Sequence, residues 1–383
     1  VLKRTLYDEE HEIFRNSVRK WAEAEIFPHI EDWRDAGCVS REIWRKAGAQ
    51  GFLCMYADEK YGGLALDDFR YDMILCEEIN PREPGFFIGL HNRIVGPYLH
   101  KLGTEEQRDR FMPGIVSGET ILAIAMTEPG TGSDLGGVKT RAVDMGDHWL
   151  LNGSKTYISN GLLAGLIVVA ARTGDGHEIG LFLVEDGMDG FERGRNLKKM
   201  GLKSQDTAEL FFDNVKVPKE NVLGDPRRGF KTMMMNLAEE RIMGALGFMA
   251  RAEYAFGITL DYVMDRRAFG QPIGTFQNSR FKMASMRTEM DAAWALTDHC
   301  AREHLSGQLS VEMAAEAKLF TSEVEARVVD ECLQLHGGAG FMDEYEISRL
   351  YSDARISRIY AGTSEIMREI IGRGLGLDSR SRN

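Results

Sequence analysis

Along the first third of the chain, apolar residues recur three and four positions apart. Phe14, Val18, Trp21, Ala22 and Ile26 fall on one stripe, which predicts an amphipathic helix because residues at this spacing lie one above the other. A second run, from Asp67 to Ile79, stops at Asn80-Pro81, where proline disfavours a further helical turn. Between Ile121 and about Val217 the pattern shortens to runs such as Trp149 to Leu151, Leu166 to Ala170, Ile179 to Val184 and Leu210 to Phe212. These predict strands, and Asn152-Gly153 and Asn160-Gly161 among them predict hairpin turns. The connector from Val217 to Gly229 carries Pro218, Gly224, Pro226 and Gly229, and after it the helical period returns. Phe320, Val324, Val328, Cys332 and Leu335 make one stripe of a long helix from Val311 to Leu335, of the length used in bundles. The pattern predicts an α+β multidomain chain: an α-helical domain over 1–120, a middle β-barrel or sandwich domain over 121–229, and a C-terminal helical domain over 230–383. No internal repeat is present, and the tail at 378–383 reads as disordered.

The chain has 383 residues, 43% of them hydrophobic and 28% charged, the balance of a globular protein with a substantial core. No stretch has the length and apolarity of a membrane-crossing helix, and the first residues lack an apolar signal core, so the reading is an intracellular protein without membrane insertion. A net charge of -12 opposes phosphodiester backbones, and no cluster of Lys and Arg offsets it, so nucleic acid is not an expected partner. Cys38, Cys54, Cys76, Cys300 and Cys332 lack CxxC or Cys/His ligand spacing, which points to buried thiols in a reducing compartment and to no metal.

Six segments combine chemistry with backbone freedom. Met126 to Asp134 interleaves glycines with Thr and Ser, which lets backbone amides approach a polar ring edge or a phosphate. Tyr157 and Ser159 sit two apart on a predicted strand, a ring and a hydroxyl on one face. Glu239 and Glu240 lie in a Met-rich apolar helix, where a carboxylate turned into a cavity would have the raised pKa of a general base. Adjacent helical residues point about 100° apart, so only one of the two can face a given cavity. Arg266 to Gln277, Gln334 to Gly338 and Ile359 to Ile366 each place glycines near helix ends, where free amides favour anionic oxygen.

In this order and spacing, AMTEPGTGSDLGGVKT from Ala125, LNGSKTYISNG from Leu151, RRAFGQPIGTFQ from Arg266, QLHGGAGF from Gln334 and IYAGTSEI from Ile359 resemble the acyl-CoA dehydrogenase family over nearly the whole chain. The run KMGLKSQDTAELFFDNVKVP from Lys199 looks closest to the long-chain type. The resemblance implies a homotetramer whose C-terminal domain is a four-helix bundle, with one FAD per subunit, an acyl-CoA substrate and an electron-transferring flavoprotein as electron acceptor. Such an enzyme acts in fatty acid β-oxidation and is cytoplasmic in a bacterium or in the mitochondrial matrix of a eukaryote.

By the same resemblance Met126, Thr127, Gly132 and Ser133 hold the flavin and its pyrophosphate, and Ser133 also meets the acyl-CoA. Tyr157 takes the place of a ring-stacking Trp, Ile158 is beside it, and Ser159 lies near the flavin N5. Arg266, Phe269 and Gln277, with Gln334, Leu335, His336, Gly337 and Gly338, match residues that reach the FAD of a neighbouring subunit. Thr363, Ser364 and Glu365 match contacts to its adenosine portion. Phe230, Arg241, Ala361 and Gly362 match substrate contacts, and the segment near Phe86 to Leu90 lines the far end of the acyl pocket, where Phe86 and Phe87 either shorten it or pack the core. The departure is Ala361: many members have their catalytic Glu there, and Ala cannot take a proton. Long-chain and isovaleryl types carry the base on the helix after the β domain, directly before an Arg, which here is Glu240-Arg241, leaving Glu239 as a solvated neighbour. A same-fold oxidase passing electrons to oxygen, and a non-catalytic relative acting as a binding protein, stand as alternatives.

Overall fold

The computed structural model describes residues 2–174, 176 and 178–377; the tail expected to be disordered lies outside them. The N-terminal part packs α1 (Glu9–Glu25), α2 (Ile30–Ala36), α3 (Arg41–Ala49), α4 (Phe69–Ile79), α5 (Gly96–Leu102) and α6 (Glu105–Ser117). Val18, Ala22 and Ile26, three of the five stripe residues, are fully buried with Ile43, Trp44, Ile74 and Phe86. Asp68 caps α4 by accepting from the Arg70 amide, and the helix ends at Asn80 as the proline requires. A π-helical turn, Leu90–Val95, precedes α5.

The middle part is a curled sheet of β1 (Leu122–Ala125), β2 (Arg141–Asp144), β3 (His148–Ser159), β4 (Leu166–Arg172), β5 (Ile179–Glu185), β6 (Phe191–Asn196), β7 (Thr207–Pro218) and β8 (Val222–Leu223). Its order is β6-β7-β3-β2-β4-β5-β8, with β1 parallel to β4. Leu166, Val168 and Ala170 face the N-terminal helices, while Ile167, Val169 and Ala171 face the sheet's own interior. That period of two, apolar on both sides, is why β4 reads as an unbroken hydrophobic run. Trp149 on β3 meets Phe182 on β5 at 5.3 Å across this interior.

Neither expected Asn-Gly hairpin forms. Asn152-Gly153 lies within β3, at an irregularity in its pairing with β7. Gly153 has φ +145, and a Cβ there would lie 2.6 Å from the Thr140 hydroxyl, so the glycine serves close backbone approach, not a turn. Asn160, at φ +58, follows the end of β3, but β3 pairs with β2 and β7 and not with the strand that comes next.

The C-terminal part begins with α7 (Gly229–Asp265), followed by the short hairpin β9 (Arg267–Ala268) and β10 (Gln271–Pro272), then α8 (Gln277–Leu305), α9 (Val311–His336), α10 (Glu346–Ala354) and α11 (Ser364–Gly374). α9 packs against α7, α8 and α11. Its stripe residues Val324, Val328 and Cys332 are fully buried and Leu335 is half-buried, whereas Phe320, expected on the same stripe, is exposed. Cys54, Cys76, Cys300 and Cys332 are buried thiols, Cys38 is half-buried, and none forms a disulfide. Among the described residues no helix is long and apolar enough to cross a membrane, and no cluster could hold a metal ion.

Candidate active site

The long helix α7 is fixed at its first turns by the π-helical segment. Asn236 donates to the Ile94 carbonyl at 3.0 Å. Three residues on, Glu239 approaches Arg93 at 3.6 Å, and Lys101 and His304 each stand 3.9 Å from its other oxygen. Arg93 is itself held by Asp72 at 2.6 Å and Asp67 at 2.8 Å. Glu239 is therefore buried against a cationic group, not solvated. The sequence offered little sign of this, because its partner Arg93 lies more than a hundred residues upstream.

With Glu239 committed to that side, Glu240 turns about 100° away. Burial in apolar surroundings pushes its carboxyl up to about 7, and the neighbouring Arg241 pulls it back only in part. The buried phenol of Tyr98 on α5 feels the Glu240 charge and is held well above its usual range, chiefly by its own burial. Arg241 is buried too, and burial lowers its proton affinity.

From Glu240 the helix repeat places Gly244, Gly247 and Arg251 on the same face, within about 60° of one another. Met243, Gly244, Gly247 and Arg251 line a narrow cleft, closed by Asn80, Pro84 and Phe87 from the N-terminal part, Leu202 and Gln205 from the β6–β7 loop, and Tyr360. Two glycines within one helical turn cost about 1 kcal/mol each relative to alanine. A Cβ at Gly247 would only touch Asn80 and Cys76 at ordinary distance, 3.5 and 3.6 Å, so packing within the protein does not demand the glycine. Phe87 faces this cleft, whereas Phe86 is buried against Trp44 at 4.7 Å. The sequence reading singled out Glu240 and not Gly244, Gly247 or Arg251, which follow it at the helix repeat; the residues facing them come from distant segments.

The β6–β7 loop is held over the cleft from two sides. The Leu202 amide donates to Asp353, and the Ser204 hydroxyl donates to Glu83. Gln205 lies 3.5 Å from the Ser159 hydroxyl, which joins the loop to the end of β3.

Beside that end the Met126–Asp134 segment forms a tight turn, with Glu128 and Thr131 exchanging backbone bonds of 2.9 and 3.0 Å. The buried Glu128 carboxylate accepts from the Lys139 and Thr140 amides and from Lys155 Nζ, at 2.7 to 2.9 Å. Lys155 also donates to the Met126 carbonyl, and the Thr156 amide donates to Thr127. These bonds bring Met126 and Thr127 next to Tyr157. Tyr157 sits at φ +60 in a break of the β3–β7 register, with its ring 70% exposed. A Cβ at Gly130 or Gly132 would meet no protein atom within 4 Å. An exposed ring at a strained φ beside bare backbone fits a flat polar heterocycle with a phosphate chain, which is the shape of FAD. Ile158 points into the sheet core, so only its backbone is available to a ligand.

Ala361 and Gly362 are consecutive left-handed residues, φ +52 and +94. The buried Lys318 donates to the Gly362 carbonyl at 2.6 Å, fixing the turn just before α11. Thr363 caps α11, Ser364 donates to Glu323 at 2.9 Å, and Glu365 is exposed. Arg266, Gln277, Gln334, Gly337 and Gly338 are exposed at helix ends, and Phe269 is exposed in the β9–β10 turn, at 96% and φ +51. The His336 ring is turned inward, stacked on Tyr262 at 4.2 Å with Nδ1 2.8 Å from the Cys332 carbonyl, while Leu335 is half-buried. Phe230 is partly exposed at the start of α7.

Family models for the acyl-CoA dehydrogenase N-terminal, middle and C-terminal domains match residues 8–119, 123–215 and 227–376. The long-chain specific acyl-CoA dehydrogenase of Mus musculus mitochondria is 45% identical, covering 98% of this chain and 89% of that protein. A crystal structure of acyl-CoA dehydrogenase from Geobacillus kaustophilus superposes with a TM-score of 0.96 at 45% identity, covering 97% of this chain and all of that one. A glutaryl-CoA dehydrogenase from Mycobacterium smegmatis in complex with FADH2 is 28% identical with a TM-score of 0.92, over 98% of this chain and 96% of that one.

Proposed function

Because this chain belongs to the acyl-CoA dehydrogenase family, a family of FAD-dependent oxidoreductases, we propose that it converts a fatty acyl-CoA to the trans-2-enoyl-CoA with Glu240 as base and electron-transferring flavoprotein as acceptor. The observation that carries this reading is a carboxylate with a pKa of about 7 one helical turn before the glycines that line a cleft, in a chain whose motif after Tyr360 has only Ala361.

The α-hydrogen of a thioester is a very weak acid, so its removal needs both a base and stabilisation of the oxygen charge that develops. The Glu240 carboxylate takes the α-proton; a pKa near 7 leaves about half of it ionised at neutral pH and makes the ionised form basic enough to act. The Ala361 amide is the donor placed for the thioester carbonyl, and loss of one such donor costs about 2.7 to 4 kcal/mol of barrier. Lys318, through the Gly362 carbonyl, holds that turn in its left-handed form. FAD, bound by the Met126–Ser133 turn and the Tyr157 to Ser159 edge, supplies the acceptor for the β-hydrogen as hydride. Arg266, Phe269, Gln277, Gln334 and the Gly337-Gly338 backbone are exposed where a neighbouring subunit of a homotetramer would present its own cofactor. Phe230 and Ser133 contribute to holding the thioester end.

Anaerobic mixing of holoenzyme with acyl-CoA tests the reading. Bleaching of the flavin that Glu240→Gln abolishes, followed by rapid reoxidation with electron-transferring flavoprotein and slow reoxidation with oxygen, is the expected result. Fast reoxidation by oxygen alone would make the protein an oxidase.

A further inference from the structure

The cleft lining includes the apolar Met243, Phe87, Pro84 and Leu202, and beside them the polar Asn80, Gln205 and Arg251. Gly247 lies about 10 Å along the helix axis from Glu240, and Arg251 about 16 Å. Asn80, 3% exposed, lines the cleft beside Gly247, with its amide nitrogen 3.5 Å from where a Cβ on Gly247 would lie. Its amide nitrogen is 3.2 Å from the Cys76 sulfur, and its amide oxygen has no hydrogen-bond partner among the described residues. Beyond it stands Arg251, also 3% exposed, donating to Glu325 at 2.7 Å and to the Ser357 hydroxyl at 3.0 Å.

We propose that the acyl group taken by this cleft carries a hydroxyl partway along its chain, hydrogen-bonded to Asn80, and is not a long saturated chain. The inference rests on reading Glu240 as the base, one helical turn before the glycines of the cleft. A saturated tail passing Gly247 would dry the Asn80 amide and leave its polar atom without a partner, and it would then run into the Arg251–Glu325 pair. A terminal carboxylate fits no better: it has no proton to donate to the Asn80 oxygen, and it would bring a second negative charge beside Glu325. A hydroxyl both donates and accepts, so it satisfies Asn80 whichever way the amide is turned. Sites built to bond a substrate hydroxyl discriminate strongly against the analogue that lacks it, because their own polar group is then stranded.

The test uses the holoenzyme with saturated acyl-CoAs of increasing length and with counterparts hydroxylated at successive carbons beyond the β-carbon. Anaerobic flavin bleaching gives kcat/KM, and calorimetry gives the affinity for the matching 2-enoyl-CoAs without turnover. At one hydroxyl position, kcat/KM and affinity are expected to exceed the saturated counterpart by about tenfold or more, and Asn80→Leu is expected to erase the difference. Equal values at every hydroxyl position, or an optimum on long saturated chains, would overturn the proposal and leave the base reading intact. The comparison within the unmutated enzyme decides this even where Asn80→Leu is unstable. If no thioester bleaches the flavin, the dehydrogenase reading falls and the proposal falls with it.

Discussion

Replacing Glu240 by Gln keeps the size and shape of the side chain and removes its charge. The structure fixes what this should do in two independent measurements. Burial raises the carboxyl from 4.5 to about 7, which at 1.36 kcal/mol per tenfold corresponds to about 3 kcal/mol held against the folded state when Glu240 is ionised. Below pH 4.5 the group is protonated both folded and unfolded, and the penalty is absent. As pH rises through 7 the folded protein must ionise Glu240, and the stability present at low pH is lost. Gln has nothing to ionise, so the variant should match the parent near pH 4.5 and exceed it by up to about 3 kcal/mol above pH 8. The residual contact of Glu240 with solvent makes this an upper bound. Urea unfolding of the two proteins side by side, at fixed flavin and protein concentration, reads the difference.

The same ionisation sets the rate. A base with a pKa near 7 is about one-tenth ionised at pH 6 and one-hundredth at pH 5, so flavin bleaching in a stopped-flow instrument should rise about tenfold per pH step and level off above 8. Glu240→Gln should lose about two to four orders of magnitude and show no such rise. A parent rate flat between pH 5 and 8, or a variant that is less stable than the parent at high pH, would refute the argument that Glu240 is buried and acts as the base.

Glu239→Gln should keep its bleaching rate and change stability by about 1 kcal/mol or less, because burial already disfavours its charge and Arg93 retains Asp72 and Asp67; equal loss of rate in both Glu variants would show that the two roles are misassigned. Lys318→Met removes the donor to the Gly362 carbonyl, so flavin reduction should slow by about tenfold or more, the equivalent of a charged hydrogen bond worth about 1.5 to 3 kcal/mol, with KM for the thioester changing less than kcat. Glu325→Gln strands the buried Arg251 and should lower unfolding stability by about 3 to 5 kcal/mol, while Arg251→Met combined with Glu325→Gln should recover most of it; stabilities that simply add would show the pair is not coupled.

What the sequence made legible follows from what periodicity records. A stripe such as Val324, Val328 and Cys332 registers which face of a helix is buried, and the succession of helices, strands and helices follows from it. The same logic failed at Asn152-Gly153, because a glycine required for close approach to Thr140 carries the same letters as one required for a turn. The motif loops were legible as chemistry, since glycine beside Thr and Ser has few purely structural uses when a Cβ at Gly132 would meet only open space.

The site itself was half legible. Glu240, Gly244, Gly247 and Arg251 share one helix, so their alignment is a matter of arithmetic along the chain. Asn80, Gln205 and Tyr360, which close the cleft, come from three elements whose meeting is a product of tertiary packing, and no spacing encodes it. Glu239 illustrates the reverse case: placed beside its neighbour on a helix, it reads as solvated until Arg93 is brought against it. The two carboxylates differ by one position in sequence and by about 100° in space, and that rotation assigns one to an ion pair and leaves the other the carboxylate of raised proton affinity that we propose as the base.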